Sequence, residues 1–588
     1  MSPVDHTAAL VLGSPPKDIA GQPSSAPPVI IYIDDASGSD DASTPGTKES
    51  PFQSLFAAYI AFPPESSTPS PVYFARVVKA NGQGDAVEWR EAAKSAMKKV
   101  VSRYAEYVKK MAKQNEEEAD RQATLVEARK VVIQEDHTLP KAIRLKISAK
   151  APEGVTLGSE STTGTRVKVI GRIDNIRVSK TRTFVYLTDT RDTLLCLFEG
   201  AVNAVAPVLF QKQTSIEVFG QLKSVPAKNK APGDRELHAD YYRIIGEAPG
   251  GPESFTNIAP TSAHQSTLPD ARHLVLRRRE EAMVMKARSS ALSAFRQYYN
   301  EHEMREATAP SFVQTQVEGG GSLFSLSYYG ERAYLTQTSQ LYLEAQLPVL
   351  GDCYAIQSSF RAENSHTRRH LSEYTHIEGE LDFIEFDDLL NHIEDLLCGV
   401  IEILLAHPES RELIMALNPD FKSPARPFRR MRYAEAIEWL NAHGVMDENG
   451  VPHVFGTDIA EAAERRMTDE IGVPIMLTHF PVPIKAFYMK RDAGDPRVTE
   501  SVDCLVPGVG EVVGAGMRMD DYDQLVEVMK ENAWDLKAYA FYSDQRKYGT
   551  SPHGGYGMGI ERFLAWILNR HSVRECVPFP RYPGKCTP

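Results

Sequence analysis

The stretch FRAENSHTRRHLSEY, residues 360–374, decides how the rest of this 588-residue chain is read. Arg361 and Glu363 stand two apart, so on an extended strand they face the same side. A basic loop with Arg368, Arg369 and His370 follows, and Tyr374 closes the stretch. An arginine can clamp a phosphate through two parallel N–H donors. Glu363 can accept from an adenine amino group, and Tyr374 can stack on the ring. A surface hairpin laced with salt bridges also accounts for the stretch when it is taken alone.

Two further stretches lie downstream. HGGYGMGIERFLAWIL, residues 553–568, runs four glycines (554, 555, 557 and 559) into a helix with Arg562 in its first turns. Glycines admit close approach of a ligand to the backbone, and a helix start suits a phosphate. The other reading is a strand end trimmed for packing. A dinucleotide fingerprint is excluded, because the spacing is G-x-G-x-G and only residues 560–588 remain. The chain has no G-x-x-x-x-G-K-[ST], which excludes a P-loop. TESVDCLVPGVGEVVGAGMRM, residues 499–519, places Asp503 and Glu511 in a strand–turn–strand pattern. Two carboxylates near phosphate-binding arginines suggest hard-oxygen ligands for Mg²⁺, or else solvated carboxylates on a hairpin. Arg518 leaves a small-residue strand (Gly514, Ala515, Gly516) with room for a small ligand.

Outward from these stretches the chain divides by texture. It is too long for one hydrophobic core, since cores stop growing at about 250–300 residues. Residues 1–28, rich in Pro, Ser, Ala and Gly, are expected to be disordered. Residues 29–87 read as a small α+β extension, with strands at 29–33 and 72–78 and a helix over 51–62. Residues 88–150 form a charged helical arm, with 15 Lys/Arg against 10 Asp/Glu, an excess of +5. Glu88 to Ile133 lacks Pro and Gly, which favours one or two long helices. That arm is either a solvated spacer or a lysine-studded surface for nucleic-acid backbone. Residues 160–249 carry short β-branched runs separated by turns and suit an OB-type barrel. There Arg172, Arg177, Phe184 and Tyr186 offer a cationic stacking platform for bases, or ordinary core and surface. Residues 250–269 form a polar linker, and 270–588 a mixed α+β body opened by a long helix over 274–302.

Composition bounds the function. A net charge of −12 argues against a basic surface everywhere, but leaves room for a local basic patch. No run approaches the roughly 18 apolar residues of a membrane span, and no secretory signal is visible. Six scattered cysteines without a C-x-x-C pair argue against a zinc site or disulfide framework and fit a reducing compartment.

R-x-E with a basic loop and aromatic, an acidic hairpin, and a C-terminal G-x-G-x-G-x-x-R form the motif set of class II aminoacyl-tRNA synthetases. Residues 270–588 resemble that catalytic domain throughout, and Pro310 matches the family's first motif. The preceding barrel places the chain beside the aspartyl, asparaginyl and lysyl enzymes. It resembles the eukaryotic cytosolic asparaginyl branch through QVEGG (316–320), TSQLYLE (338–344), YTHIE (374–378), SDQRKYGTSPHGGYG (543–557) and the CTP ending (586–588). The resemblance implies an α+β multidomain protein of the cytoplasm: an antiparallel-sheet catalytic domain with helices, preceded by an OB-fold and a small N-terminal extension. ATP, L-asparagine and tRNA(Asn) are the implied substrates, Mg²⁺ the implied cofactor, and a homodimer without membrane attachment the implied assembly.

Residue by residue, the resemblance implies that Arg361 binds the α-phosphate and the amino-acid carboxylate, with Arg562 as the second catalytic cation. Glu363, Arg369, His370, Leu371, Tyr374, Glu511, Gly559, Ile560, Glu561 and Arg562 surround ATP, and Asp503 supports Glu511 at the metal. Glu318, Gln340, Leu343, Glu344, Gly514 and Arg518 surround the amino acid. Aspartyl enzymes carry a lysine where Leu343 stands here, followed by Glu344, so a neutral amide is expected rather than a carboxylate. Arg172, Arg177 and Phe184 would meet the anticodon, although Leu195 replaces a glutamine common in related barrels. The competing readings are an aspartyl enzyme, a synthetase-derived asparagine synthetase, and an inactive synthetase-derived RNA-binding protein.

Overall fold

The computed structural model describes residues 29–41, 43–64, 70–79, 86–147, 154–159, 162–190, 192–225, 230–317, 323–365 and 367–587. The expected disordered stretch 1–28 and Glu318 lie outside these residues. The chain forms two compact units, Met1–Gly251 and Pro252–Pro588. Among the described residues no helix is long and apolar enough to cross a membrane.

The first unit opens with a three-stranded sheet, β1 (Ile30–Ile33), β2 (Val72–Lys79) and β3 (Ala86–Glu91), in the order β1-β2-β3. The parallel β1–β2 pair is joined through a helix that starts at Leu55 rather than at Pro51. Ser54 caps it, its Oγ accepting from the Ala57 N–H at 3.1 Å, while Phe52 bridges to Ile33. The arm is a single 36-residue helix, Lys94–Arg129. It does not begin at Glu88, because Glu88 and Trp89 pair with Val77 and Arg76 as part of β3. Trp89 is better used there, edge-on to Tyr32 with centroids 5.0 Å apart. The first turns of the helix pack Met97, Val100 and Tyr104 on the small domain's core. Its last turns give Leu125 and Ala128 to the core of the barrel.

The barrel holds β4 (Ile143–Leu145), β5 (Arg166–Val178), β6 (Arg182–Thr188), β7 (Thr193–Glu199), β8 (Ser215–Ser224) and β9 (Arg235–Gly246). The order β4-β5-β6-β7-β9-β8 closes through a β5–β8 pairing, so five strands form the barrel wall. A bulge between Ile173 and Asn175 bends β5 enough to serve both neighbours. Val167, Val169, Val185, Leu187, Leu194, Cys196 and Phe198 alternate inward and fill it.

The second unit is built on an eight-stranded sheet, accompanied by a small antiparallel sheet of β11 (Phe312–Val313), β12 (Ser325–Tyr328) and β13 (Glu331–Leu335). The large sheet's strands are β10 (Arg305–Glu306), β14 (Cys353–Phe360), β15 (Glu373–Asp382), β16 (Arg429–Arg432), β17 (Ile475–Thr478), β18 (Ser501–Val506), β19 (Gly510–Met517) and β20 (His553–Gly559). Their order is β10-β14-β15-β20-β19-β18-β17-β16, antiparallel except for the edge strands β10 and β16. Helices Arg279–Glu301 and Phe386–Ala406 supply Phe295, Tyr299, Leu389, Ile393 and Leu397 to the core against this sheet. The long helix expected over 274–302 is broken before Arg279. Arg278 turns extended there and its Nη1 donates to the carbonyls of Pro260 and Ala263, each at 2.9 Å.

Candidate active site

Strand β15 positions the site by simple alternation: Tyr374, His376, Glu378 and Glu380 share one face. Across it, β20 sets Gly559, Gly557 and Gly555 opposite His376, Glu378 and Glu380. A Cβ at Gly555 would lie 1.8 Å from Glu380 Oε2, so the carboxylate occupies space that any other residue would fill. On the far side of β20, β19 brings Glu511 and Gly514, and Asp503 of β18 pairs with Gly514. Two adjoining hollows result, of about 470 and about 100 Å³, which share Arg361, His376, Glu511 and Gly557.

The smaller hollow is cationic. It is lined by Arg361, Arg369, His370, Leu371, Tyr374, Gly559, Glu561 and Arg562. Arg562 Nη1 donates to Glu511 Oε2 at 2.9 Å and to its backbone carbonyl at 3.2 Å; Arg369 Nη2 reaches the same carbonyl at 3.2 Å. The Arg361 guanidinium lies 5.7 Å from the Tyr374 ring centroid. Burial, aided by the neighbouring Arg562, pushes the His370 pKa below its ordinary value. Planar and phosphate-like groups can both be held here, by ring and guanidinium stacking and by charge-assisted donors.

Three expectations change at this hollow. Arg361 and Glu363 are not on a strand: the ladder ends at the Phe360–Glu373 pair, beyond which the Arg361 N–H donates to the Ser372 carbonyl at 3.0 Å. Alternation therefore stops, and Glu363 does not line the hollow, although its charge acts on His370. Ile560 is buried in the core and does not line the hollow. Glu561 is committed to Arg288 at 2.8 Å and to the Thr375 N–H at 3.2 Å.

The acidic corner fits a cation held together with phosphate oxygens. Asp503 pairs with Lys485 at 2.7 Å, and a Cβ on Gly514 would sit 3.0 Å from Glu511 Oε1 and 3.7 Å from Asp503 Oδ1. Lys485 Nζ reaches both Asp503 oxygens, at 3.0 and 2.7 Å, and Arg562 Nη1 holds Glu511 Oε2, so a metal would share these carboxylates with the two cations. Burial opposes charge on both, but Arg562, Lys485 and Arg369 hold Glu511 down at about 2. Burial and Glu511 carry Asp503 up to about 6 against the pull of Lys485. Burial beside both of them pushes Glu464, on helix Glu461–Ile471, up to about 8. No motif pointed to Glu464. Among the described residues no group of three or more His, Cys, Asp or Glu forms a complete metal cage.

The larger hollow ends in a closed charge network. Arg518 forks onto Glu380, Nε–Oε1 at 2.6 Å and Nη2–Oε2 at 3.0 Å. Behind it stands Glu344, 3.7 Å from Arg518 Nε, bonded to Arg546 and His553 and accepting from Gln340 Nε2 at 3.0 Å. Burial would raise the Glu344 pKa, but Arg546, His553 and Arg518 bring it below the usual carboxylate range. Gln340 and Arg518 line the hollow, whereas Glu344 does not. Glu344 lies one turn beyond Gln340 on helix Gln340–Leu350, on the same face and deeper. It thus sits behind the expected contact and holds the residues that make it. Leu343 points away, into a cluster with Ala307, Leu347, Cys353 and Ala355. Arg546 and His553 were inside a quoted stretch but had no assigned role, since neither falls at a spacing that signals a site.

In the barrel, cross-strand register puts Arg172 (opposite Thr188), Arg177 (opposite Phe184) and Tyr186 (opposite Leu195) on one face. The Arg177 guanidinium lies 5.3 Å from the Phe184 centroid. Leu195 is nearly buried on that face beside Tyr186.

An antiparallel sheet carrying a glycine ladder, with guanidiniums and a stacking ring at one end and a closed acid–base network at the other, defines a class II aminoacyl-tRNA synthetase catalytic domain. The description "tRNA synthetases class II (D, K and N)" matches residues 264–583, and that of the asparaginyl-tRNA synthetase N-terminal domain matches residues 47–140. Cytoplasmic asparagine–tRNA ligase of Saccharomyces cerevisiae is 46% identical over 566 residues, covering 95% of this chain and 100% of that protein. The Homo sapiens enzyme of the same name is 42% identical over 564 residues, covering 95% and 99%. The Entamoeba histolytica asparaginyl-tRNA synthetase in complex with asparaginyl-adenylate superimposes with a TM-score of 0.70 at 39% identity, over 76% of this chain and 100% of that one. The chain belongs to the asparagine–tRNA ligase branch of the class II tRNA synthetases.

Proposed function

We propose that the chain activates L-asparagine with ATP and transfers it to the 3′-hydroxyl of the terminal adenosine of tRNA(Asn) in the cytoplasm, as the names of its relatives suggest. One observation carries the choice of amino acid: the network at the end of the larger hollow balances Glu344 and Glu380 with Arg518 and Arg546. A balanced pocket suits a neutral amide. An aspartate side chain would add a further carboxylate to a site that already holds Glu344, Glu378 and Glu380, at a cost of several kcal/mol.

In the first step a carboxylate oxygen of asparagine attacks the α-phosphorus, the bond to pyrophosphate breaks, and asparaginyl-adenylate forms. Arg361, shared by both hollows, neutralises charge on the α-phosphate and on the attacking carboxylate. Arg369, His370 and Arg562 face the leaving phosphates, and Tyr374 stacks on adenine. Asp503 and Glu511 would hold Mg²⁺, which when bound neutralises and orients phosphate oxygens. Arg518 and Gln340 present the side-chain amide contacts. In the second step the ribose hydroxyl attacks the acyl carbon and releases AMP. No side chain here stands out as a general base, so positioning and charge neutralisation supply most of the acceleration. Arg172, Arg177 and Phe184 are proposed to meet the anticodon. Homodimerisation is proposed from the family's first motif around Pro310.

Charging assays test this reading. With tRNA(Asn) transcript, asparagine is expected to be incorporated and aspartate to be refused; incorporation of aspartate in preference would overturn it.

A further inference from the structure

A third cavity, of about 240 Å³, lies beside the basic loop and outside the two hollows of the site. Its wall includes Arg272, Arg368, Arg574, Arg581 and Lys585; among the described residues lining it, Glu575 is the one carboxylate. Most of these groups are engaged. Arg272 donates to the carbonyls of Val577 (2.7 Å) and Pro578 (2.8 Å), Arg368 meets His571 at 3.1 Å, and Lys585 reaches Asp270 at 2.6 Å. Glu575 accepts from the Ser572 N–H at 3.1 Å.

Arg574 and Arg581 differ. Nε and Nη2 of Arg574 and Nη1 of Arg581 are buried without a hydrogen-bond partner. The Arg574 guanidinium lies 3.9 Å from the centroid of the Tyr582 ring, which fixes it without consuming its donors. Buried unpaired donors cost about 1–3 kcal/mol each, and more when charged, so such groups point to an anion that supplies acceptors. Location narrows the anion. Ser572 and Arg574 line this cavity, while Val573 between them lines the smaller hollow. Val573 N–H and Ser572 Oγ both donate to the Arg368 carbonyl, at 3.0 and 3.1 Å. One residue thus separates the cavity from the nucleotide hollow, at whose junction with the larger hollow an RNA 3′ end must meet the acyl carbon, and every nucleotide of that strand carries a phosphate.

We infer that this cavity binds phosphate, and that the phosphate is a phosphodiester of the tRNA acceptor strand. The inference rests on the function proposed above. Free pyrophosphate shares the chemistry, and the test separates the two. Arg574→Met and Arg581→Met are made in the full chain and compared with the parent in four assays: ATP–pyrophosphate exchange without tRNA, aminoacylation over a range of salt, inhibition of aminoacylation by inorganic pyrophosphate, and sedimentation. Exchange is expected to stay within about twofold, while the KM for tRNA rises about tenfold and the slope of log affinity against log salt falls by about 1. Should Arg574→Met fail to fold, Arg581→Met alone must show the same split. Unchanged tRNA KM and slope would overturn the inference. So would a changed inhibition by inorganic pyrophosphate at constant tRNA KM, or a loss of dimers at constant KM, which would assign the cavity to a protein partner. A parent that exchanges with no amino acid would instead contradict the underlying function, and is read separately.

Discussion

Arg546 shows what a single residue contributes to the specificity of this site. It is fully buried, bonds Glu344, and leaves Arg518 to Glu380 and the larger hollow. Removing it leaves the buried Glu344 carboxylate with His553, Gln340 and Tyr542 but without its closest cation, so it takes a proton or draws on Arg518. Arg546→Met is therefore expected to raise the KM for asparagine by at least about tenfold and to narrow discrimination against aspartate, with a stability loss of about 3–5 kcal/mol. Exchange kinetics with both amino acids check the first part and denaturant unfolding the second; a wild-type KM with wild-type selectivity would remove Arg546 from the pocket's logic. Glu464 gives a second test. Its folded pKa of about 8 lies above the ordinary 4.5, so the stability it adds is present below about pH 4.5 and is lost as pH rises through 8. Glu464→Gln should change Tm little at pH 5 and raise it by about 2–4 °C at pH 8.5. An equal shift at both pH values would mean that the carboxyl is not held neutral by its surroundings.

At the scale of elements, β15 and β20 carry most of the site. The glycines of 554–559 were legible as close-approach positions, whereas the strand that sets Tyr374, His376, Glu378 and Glu380 on one face was not read from the sequence. That the two strands pair, so that each glycine faces one of those polar side chains, depends on a contact between residues about 180 positions apart, which no local pattern encodes. Gly555→Ala is expected to lose Arg518 alignment and at least about 1–3 kcal/mol of stability through overpacking against Glu380. Thermal unfolding with and without asparagine checks it; full activity and an unchanged Tm would show that the strand can shift. The misread elements have physical causes too. Arg361 and Glu363 were read as strand neighbours because their spacing is two, but the β14–β15 ladder stops at Phe360. Glu88 and Trp89 carry helix-compatible composition, yet edge pairing with β2 and the Tyr32 contact hold them extended. Glu344 was placed in contact with substrate from its motif position, whereas burial among Arg546, His553 and Tyr542 sets it one layer back.

For the whole molecule, a chain of net charge −12 concentrates a +5 excess in residues 88–150, near the barrel face that carries Arg172 and Arg177 in sequence order. The helix Lys94–Arg129 does two jobs by packing: its start belongs to the small domain's core, and its end to the barrel's. Truncation must respect that division. Removing residues 1–113 should leave exchange near wild type, weaken tRNA binding, and reduce its salt dependence, because Lys94, Lys98, Lys99, Arg103, Lys109, Lys110 and Lys113 go with it. Removing 1–150 also takes Leu125, Ala128 and Ile147 from the barrel core and should destabilise the barrel itself. tRNA affinity measured at two salt concentrations, with barrel unfolding followed in parallel, separates the two; equal tRNA affinity for the full chain and the shorter truncation would make the basic half of the helix a spacer.

A charge-balanced pocket, joined through Arg361 to a nucleotide site, is proposed to select a neutral amide amino acid for activation. ATP–pyrophosphate exchange with each of the twenty amino acids, run on the parent and on Arg361→Ala, tests it most directly. Exchange is expected with asparagine, with aspartate weaker by a factor of at least about 100, and none is expected in Arg361→Ala. Exchange with aspartate in place of asparagine, or near-normal rates in Arg361→Ala, would contradict it.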